Sequence, residues 1–330
     1  MKLASLKSAH RDGQLMIVNR ALTRCITVPH IAATLQAALD NWQEAEPALR
    51  AEAAKLESAA PEQAQPFDAC ACAAPLPRAY QWLDGSAYLH HVEMVRKARG
   101  AEMPASFLTD PLMYQGGSDA LLGPCDPAAF ASEAQGIDLE AEVAVITDAV
   151  PFGVTPEMAA HHVKLVVLVN DWSLRNLIPG ELAKSFGFLQ SKPASAFSAI
   201  AATPDELGDA WHDGKLHLPL ISHINNELLG RPNAGVDMNF SFYELLAHAA
   251  RTRRLSAGTV LGSGTVANRD PELGCSCLAE RRTLEVLKYG AARTPFLTFG
   301  DRVRIEMLAA SGASIFGALD QEVVLSRAHP

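Results

Sequence analysis

A chain of 330 residues, 48% hydrophobic and 20% charged, has the composition of a globular protein and is long enough for one large domain or two. Its formal charge of −9 argues against a nucleic-acid partner, which calls for a clustered basic face. No run of about 18 apolar residues indicates a membrane span. The first residues also lack the apolar run of a signal peptide, so neither membrane nor secretory targeting is expected.

The cysteines indicate a reducing environment. Four of the six form two Cys-x-Cys pairs, Cys70/Cys72 and Cys275/Cys277. This spacing is typical neither of a disulfide framework nor of a zinc ribbon. Because cytosolic proteins rarely keep disulfides, we expect reduced cysteines and a cytoplasmic protein.

The N-terminal part of the chain predicts a small α+β unit. Residues 1–20 read as a hairpin that turns at Asp12-Gly13, a strong turn signal between apolar runs. Residues 30–58 have apolar side chains at three- and four-residue steps, which indicates helix. The composition of residues 59–67 is that of a loop. We therefore predict an N-terminal domain over residues 1–75 and a second, strand-rich domain over 76–330.

The segment 80–100 brings the first candidate site residues. Asp84 lies in a predicted loop, and the helix predicted over 88–99 carries His90 and His91 in its first turns. Adjacent residues on a helix face about 100° apart, so the two histidines cannot serve one site equally. We expect one of them to be functional.

The stretch 136–146 reads as a strand that presents two carboxylates together. Side chains alternate along a strand, so Glu140 and Glu142 point to the same side. Two adjacent carboxylates repel each other and are costly to desolvate, which makes a bound divalent cation one interpretation. The other interpretation is a solvent-facing strand with two ordinary glutamates.

A third acidic position follows a buried strand. The apolar run 165–169 ends abruptly in Asn170-Asp171, where a strand exit commonly displays binding groups. Asp84, the Glu140/Glu142 pair and Asp171 are all hard oxygen donors. Such donors select Mg²⁺, Ca²⁺ or Mn²⁺ over zinc.

Together these motifs resemble the fumarylacetoacetate hydrolase family. An acidic Glu-x-Glu pair is followed roughly 30 residues later by an apolar run into Asn-Asp-Trp-Ser-x-Arg, and Asp84 stands seven residues before His91. The similarity covers about residues 80–320, and residues 1–75 resemble the variant N-terminal domain of bacterial members. The matching stretches are Asp138-Leu-Glu140-Ala-Glu142, Asn170-Asp171-Trp172-Ser173-Leu174-Arg175, Lys184-Ser-Phe-Gly, Pro111-Leu-Met-Tyr114 and Gly264-Thr265.

The resemblance implies an α+β, strand-rich fold, the mixed β-roll of the family, usually assembled as a homodimer. It also implies a divalent metal site for Mg²⁺ or Ca²⁺, with Mn²⁺ as a further candidate. The implied metal ligands are Asp84, Glu140, Glu142 and Asp171.

The same resemblance implies catalytic and substrate-binding roles. His91 would be the general base that activates water, oriented by the carboxylate of Glu280, and Lys184 would contact the substrate oxygens. Glu93 is the alternative partner of His91, and Lys192 the alternative lysine because it restores the family spacing after the arginine. The residues implied to bind substrate are Tyr114, Arg175 and Thr265.

The resulting hypothesis is metal-dependent hydrolysis of a C–C bond in a 1,3-diketo acid, fumarylacetoacetate or a related acylpyruvate, in aromatic or tyrosine catabolism. A 2-oxo diacid decarboxylase or a keto-enol isomerase could use the same metal site without the water-activating pair. A non-catalytic protein that binds metal and organic acid is the alternative of another class.

Overall fold

The computed structural model describes residues 1–58, 62–98 and 102–326, and strands dominate it. The helices are α1 (Leu35–Asp40), α2 (Trp42–Ser58), α3 (Leu89–Ala98), α4 (Pro156–Ala159), α5 (Ile178–Leu182), α6 (Phe242–Ala249) and α7 (Leu278–Tyr289). The strands are β1 (Lys2–Leu6), β2 (Gln14–Val18), β3 (Arg24–Thr27), β4 (Gln65–Pro66), β5 (Gln81–Gly85), β6 (Met113–Gly116), β7 (Ala128–Phe130), β8 (Ile137–Asp138), β9 (Ala141–Thr147), β10 (Val163–Asn170), β11 (Ser173–Leu174), β12 (Ala196–Phe197), β13 (Ala201–Ala202), β14 (Trp211–His212), β15 (Lys215–Leu216), β16 (Leu220–Ile224), β17 (Glu227–Gly230), β18 (Thr259–Gly262), β19 (Arg302–Met307) and β20 (Leu319–Leu325).

Two sheets organise the fold. An eleven-stranded sheet runs in the order β4-β3-β2-β1-β13-β10-β9-β18-β5-β6, with β12 also paired to β10. Its β18 and β5 are parallel, whereas β10 and β9 are antiparallel. A five-stranded sheet has the order β17-β16-β19-β20-β7. The first four strands of the chain therefore extend the same sheet that contains β9 and β10.

The central strands separate two hydrophobic cores. Successive side chains of a strand point to opposite faces. Val143 and Val145 of β9 accordingly pack in the core that includes Val303 of the five-stranded sheet. Ala144 and Ile146 pack in the second core, beneath the helices α1 and α2. Burial on both faces explains why β9 and β10 are almost entirely apolar.

The N-terminal elements follow the sequence closely. β1 and β2 form the predicted hairpin, and the amide of Gly13, which has a φ of +69°, donates to the carbonyl of His10 in the turn. The predicted helix over 30–58 is two helices, α1 and α2, separated at Asn41. Residues 59–61 of the predicted loop and Arg99 of the predicted helix 88–99 lie outside the described residues. The domain boundary at residue 75 remains a prediction.

Two predictions near the candidate site are wrong in detail. The strand predicted over 136–146 is interrupted, because β8 pairs with β11 in a separate small ribbon whereas β9 joins the large sheet. Glu140 falls in the break between them. Asp84, predicted in a loop, lies on β5, where it pairs in register with Gly262 of β18.

The prediction of reduced cysteines is wrong for two of the six. Cys70 and Cys125 form a disulfide across a sequence separation of 55 residues, and the other four cysteines are free and buried. The Cys-x-Cys spacing concealed this bond, because neither neighbour in a pair is the partner. In the described part of the chain, no helix is long and apolar enough to cross a membrane.

Loss of this disulfide is expected to lower the free energy of unfolding by about 2–4 kcal/mol, because a cross-link restricts the unfolded chain. Urea unfolding of Cys70→Ser, compared with the oxidised wild type, measures this difference. Dithiothreitol should bring the wild type to the stability of the variant and leave the variant unchanged. Six titratable thiols in denatured, non-reduced protein would contradict the bond.

Candidate metal centre and histidine–glutamate pair

Three buried carboxylates converge at one point of the large sheet. Asp84 comes from β5, Glu142 from β9, and Asp171 directly follows β10. One oxygen of each lies within 4.8 Å of the others. The adjacency of these strands brings together residues that are far apart in sequence.

The chemistry of this acidic cluster fits a divalent cation. Neither carboxylate oxygen of Glu142 has a hydrogen-bond partner among the described residues, although the side chain is fully buried. Unpaired buried charge is costly unless an ion or a proton neutralises it. Burial and the nearby charge of Asp171 raise the pKa of Asp84 to about 8. Burial and the charges of Asp84 and Asp171 likewise raise the pKa of Glu142 well above its usual range.

Glu140, predicted as a fourth ligand, lies outside this cluster. Its Oε1 lies 2.6 Å from Nη2 of Arg175, and its Oε2 lies 2.6 Å from Nζ of Lys192. Although burial opposes ionisation, these two cations hold the pKa of Glu140 below its usual range. The break before β9 explains why Glu140 contacts these two cations whereas Glu142 belongs to the acidic cluster.

The lysine at the site is Lys192, and Lys184 is exposed in the loop that follows α5. The Nζ of Lys192 donates to Glu140 and to Oδ2 of Asp171. Burial alone would lower the pKa of Lys192, but Asp171 and Glu140 raise it, so the side chain is a cation at neutral pH. The prediction that placed Lys184 in the site is therefore wrong, and its alternative, Lys192, occupies that position.

Two hydroxyl groups surround Asp171. The phenol of Tyr114 donates to Oδ2 at 2.6 Å, and Ser195 donates to Oδ1 at 2.6 Å. Burial and the charge of Asp171 raise the pKa of Tyr114, which keeps it a donor. Ser195 also accepts from the indole of Trp82 at 3.0 Å. Sequence reasoning missed Ser195; its position three residues after Lys192 is the only signal that could have indicated it.

The turn after β18 closes the opposite side of the cluster. The amide of Gly264 donates to Oδ1 of Asp84 at 3.0 Å. Gly264 has a φ of +77°, and a Cβ there would come within 2.4 Å of the carbonyl oxygen of Gly85, so only glycine fits. Thr265, which follows it, is buried and faces the same cavity.

His91 and Glu280 meet next to the acidic cluster. Nδ1 of His91, on α3, lies 3.3 Å from Oε2 of Glu280, in the first turn of α7. Glu280 is buried, whereas the alternative partner Glu93 is exposed on α3. The sulfur of Cys277 caps α7 by accepting the amide hydrogen of Glu280 at 3.3 Å.

A cavity of about 130 Å³ joins the predicted residues. Phe188 forms one wall, and its ring makes an edge-to-face contact with Tyr114, with centroids 5.4 Å apart. No motif in the sequence had indicated Phe188 as a site residue. The predicted site residues that line the cavity are Asp84, His91, Tyr114, Glu140, Arg175, Lys192 and Thr265.

The acidic cluster is expected to make the stability of chelated protein fall as pH rises. The folded protein holds protons on Asp84 and Glu142 that the unfolded chain releases near pH 4. The stabilisation is therefore complete below that value and is lost as pH rises through about 8, the folded pKa of Asp84. Melting temperatures in chelator, measured from pH 5 to 9, test this. Added Mg²⁺ should raise the melting temperature most at high pH, because ligands bind metal when deprotonated.

Glu142→Gln is the control for this experiment. The variant lacks one of the two buried carboxyl groups whose pKa is raised, so its melting temperature in chelator should depend less on pH. It should also lose the stabilisation by Mg²⁺. An unchanged shift with Mg²⁺ in this variant would rule out the proposed cation site.

The fold and the site together define a class: a strand-rich α+β protein with a buried acidic cluster that faces a histidine–glutamate pair. Within that class, the chain belongs to the fumarylacetoacetate hydrolase family. The model of the fumarylacetoacetate (FAA) hydrolase C-terminal region matches residues 81–324, and that of fumarylacetoacetase N-terminal domain 2 matches residues 1–78. A search of curated proteins found no match.

Solved structures share this fold across the whole chain. Fumarylacetoacetate hydrolase from Exiguobacterium antarcticum aligns with a TM-score of 0.66 and 18% identity. Maleylpyruvate hydrolase from Sphingobium sp. SYK-6, in complex with manganese(II) and pyruvate, aligns at 0.65 and 16%. The 5-carboxymethyl-2-hydroxymuconate delta-isomerase from Mycobacterium smegmatis aligns at 0.61 and 15%. Each alignment covers 99% of this chain and 100% of the other. At these identities the similarity establishes the fold alone.

Proposed function

We propose that this protein hydrolyses a C–C bond in a 1,3-diketo acid, with fumarylacetoacetate or a related acylpyruvate as the substrate. The observation that carries the proposal is the contact between His91 and Glu280 at the edge of the acidic cavity. A metal-binding protein without catalysis would not need a base oriented towards that cavity. Hydrolysis does need one, because water must lose a proton as it attacks.

Four residues of the cavity and its edge would have separate roles in the reaction. His91 takes a proton from water while Glu280 holds the imidazole in position and stabilises its positive charge. The hydroxide adds to the acyl carbonyl, and the C–C bond breaks with its electron pair leaving as an enolate. The enolate takes up the proton held by His91, which restores the base. Lys192 places its charge close to the developing oxyanion, and Tyr114 remains a hydrogen-bond donor.

Asp84, Glu142 and Asp171 are the proposed ligands of Mg²⁺, Ca²⁺ or Mn²⁺, and Glu140 would hold Lys192 and Arg175 beside them. When bound, such an ion would supply Lewis-acid chemistry to a 1,3-diketo acid substrate. The manganese and pyruvate in the Sphingobium hydrolase support this class of ion and substrate.

Assembly and location complete the proposal. We propose a homodimer, the assembly implied by the family resemblance, which sedimentation of the purified protein would test.

Cytoplasmic location remains a sequence-based prediction, and the bond between Cys70 and Cys125 counts against it. Trapping free thiols in intact cells before lysis would decide between a reduced and an oxidised protein.

A turnover assay tests the function. Purified protein loaded with Mg²⁺ or Mn²⁺ is offered fumarylacetoacetate, fumarylpyruvate, acetylpyruvate and oxaloacetate, with and without chelator. Cleavage of a diketo acid that chelator abolishes is the expected result. Turnover of oxaloacetate alone would replace the hydrolase by a decarboxylase, and shift of a double bond without cleavage would replace it by an isomerase.

A further inference from the structure

Asp138 is a fully buried carboxylate that the proposed mechanism does not use. Its Oδ1 accepts the amide hydrogen of Leu278 at 2.7 Å. Its Oδ2 accepts the amide hydrogen of Ala279 at 2.9 Å and Nε–H of Arg175 at 2.7 Å. Three donors from two separate elements therefore converge on one side chain.

The two elements lead to two different groups of residues in the candidate site. Leu278 and Ala279 are the first two residues of α7, and the third is Glu280, which contacts His91. Arg175 extends its Nη2 to Glu140, the residue that also contacts Lys192. Asp138 thus lies between the histidine–glutamate pair and the cations next to the acidic cluster.

The groups around the side chain of Asp138 favour an anion. The first amide groups of a helix have no partner within the helix and carry partial positive charge, so a carboxylate there is stabilising. A guanidinium adds a full positive charge and a charge-assisted hydrogen bond. An asparagine has one oxygen and one donor amide, so at least one of the three donors would face another donor.

We infer that Asp138 is a positioning residue that fixes the first turn of α7 against Arg175 and thereby holds Glu280 where its carboxylate orients His91. The inference rests on the proposed function, because the position of Glu280 affects turnover only if His91 and Glu280 activate water. In the sequence, Asp138 is distinguished only as the first residue of the stretch Asp138-Leu-Glu140-Ala-Glu142. Asp138 acts through Glu280 and does not itself touch substrate.

A double-mutant cycle with Glu280 tests the inference. Asp138→Asn is expected to lower kcat about tenfold to 100-fold, part of what a well-placed general base contributes. KM should change less than about twofold, because the loss concerns the transition state. The double variant Asp138→Asn/Glu280→Gln should be no slower than Glu280→Gln alone, since both changes remove the same function.

Glu285→Gln is the matched control. Glu285 is a buried carboxylate of the same helix and accepts amide hydrogens from Arg293 and Thr294, away from the site. Its replacement should leave kcat unchanged. The melting shift with Mg²⁺ should persist in Asp138→Asn, which separates a misplaced Glu280 from a lost cation site.

Each other outcome overturns a particular claim. Full activity of Glu280→Gln would refute the proposed function itself. If Glu280→Gln is impaired, then normal kcat in Asp138→Asn, or losses that add in the double variant, would refute only the positioning role. If Asp138→Asn does not fold, Asp138→Ser replaces it, because its hydroxyl still accepts one amide hydrogen of α7. Failure of both to fold would make Asp138 a structural residue and end the inference.

Discussion

Replacing His91 with alanine is expected to lower kcat about 100-fold to 10,000-fold, the range that a positioned general base contributes. The ring lines the cavity and its Nδ1 faces Glu280, so the substitution removes the group that would accept the proton from water. His91 is outside the acidic cluster. The stabilisation by Mg²⁺ should therefore be the same in His91→Ala and in the wild type.

His90→Ala is the matched control for this experiment. His90 is the neighbouring residue on α3, about 100° away around the helix axis, and it does not line the cavity. Its replacement should leave kcat nearly unchanged. If His91→Ala retained turnover, His91 would not be the general base. That result would favour a decarboxylase or isomerase that uses the metal site alone.

Replacing Lys192 with methionine is expected to reduce both stability and activity. The variant leaves Glu140 and Asp171 without a buried cation that contacts both, and breaking such a pair costs about 3–5 kcal/mol. In the proposed mechanism it also removes the positive charge beside the developing oxyanion, so kcat should fall about 100-fold to 1000-fold. Urea unfolding in chelator and steady-state kinetics with Mg²⁺ measure the two effects separately.

Lys184→Met provides the comparison. Lys184 is exposed in the loop after α5, and its substitution removes the same charge from the chain as Lys192→Met does. Its stability and kcat should match those of the wild type. The reverse result, with Lys184→Met inactive and Lys192→Met normal, would show that Lys184, the lysine of the Lys-Ser-Phe-Gly motif, is the active-site lysine. The contacts of Lys192 with Glu140 and Asp171 make us expect the first result.

The sequence was sufficient for the family, for the strand-rich fold and for three of the four acidic residues that were expected to lie together. Glu142 and Asp171 could be found because a buried strand shows as an apolar run and its polar interruptions stand out. The N-terminal hairpin was predictable because Asp12-Gly13 encodes its turn locally.

The remaining details depend on contacts between distant segments. Which lysine enters the site depends on how the loop after α5 is folded, whereas the motif Lys-Ser-Phe-Gly is purely local. The interruption before β9 depends on the pairing of β8 with β11, which no short stretch encodes. The partner of Cys70 is likewise set by tertiary structure, because Cys125 is the cysteine that folding brings next to it.

The N-terminal strands β1–β4 belong to the same sheet as β9 and β10, so a fragment without them would lose part of that sheet. The family models match residues 1–78 and 81–324 separately, yet β1 is hydrogen-bonded to β13, and β13 to β10. A fragment that begins at residue 81 would leave an open strand edge at β13 and remove the N-terminal part of the core that contains Val167. Uncovered edges of this kind recruit other chains into intermolecular sheets. We therefore expect the N-terminal segment also to protect residues 81–324 against aggregation.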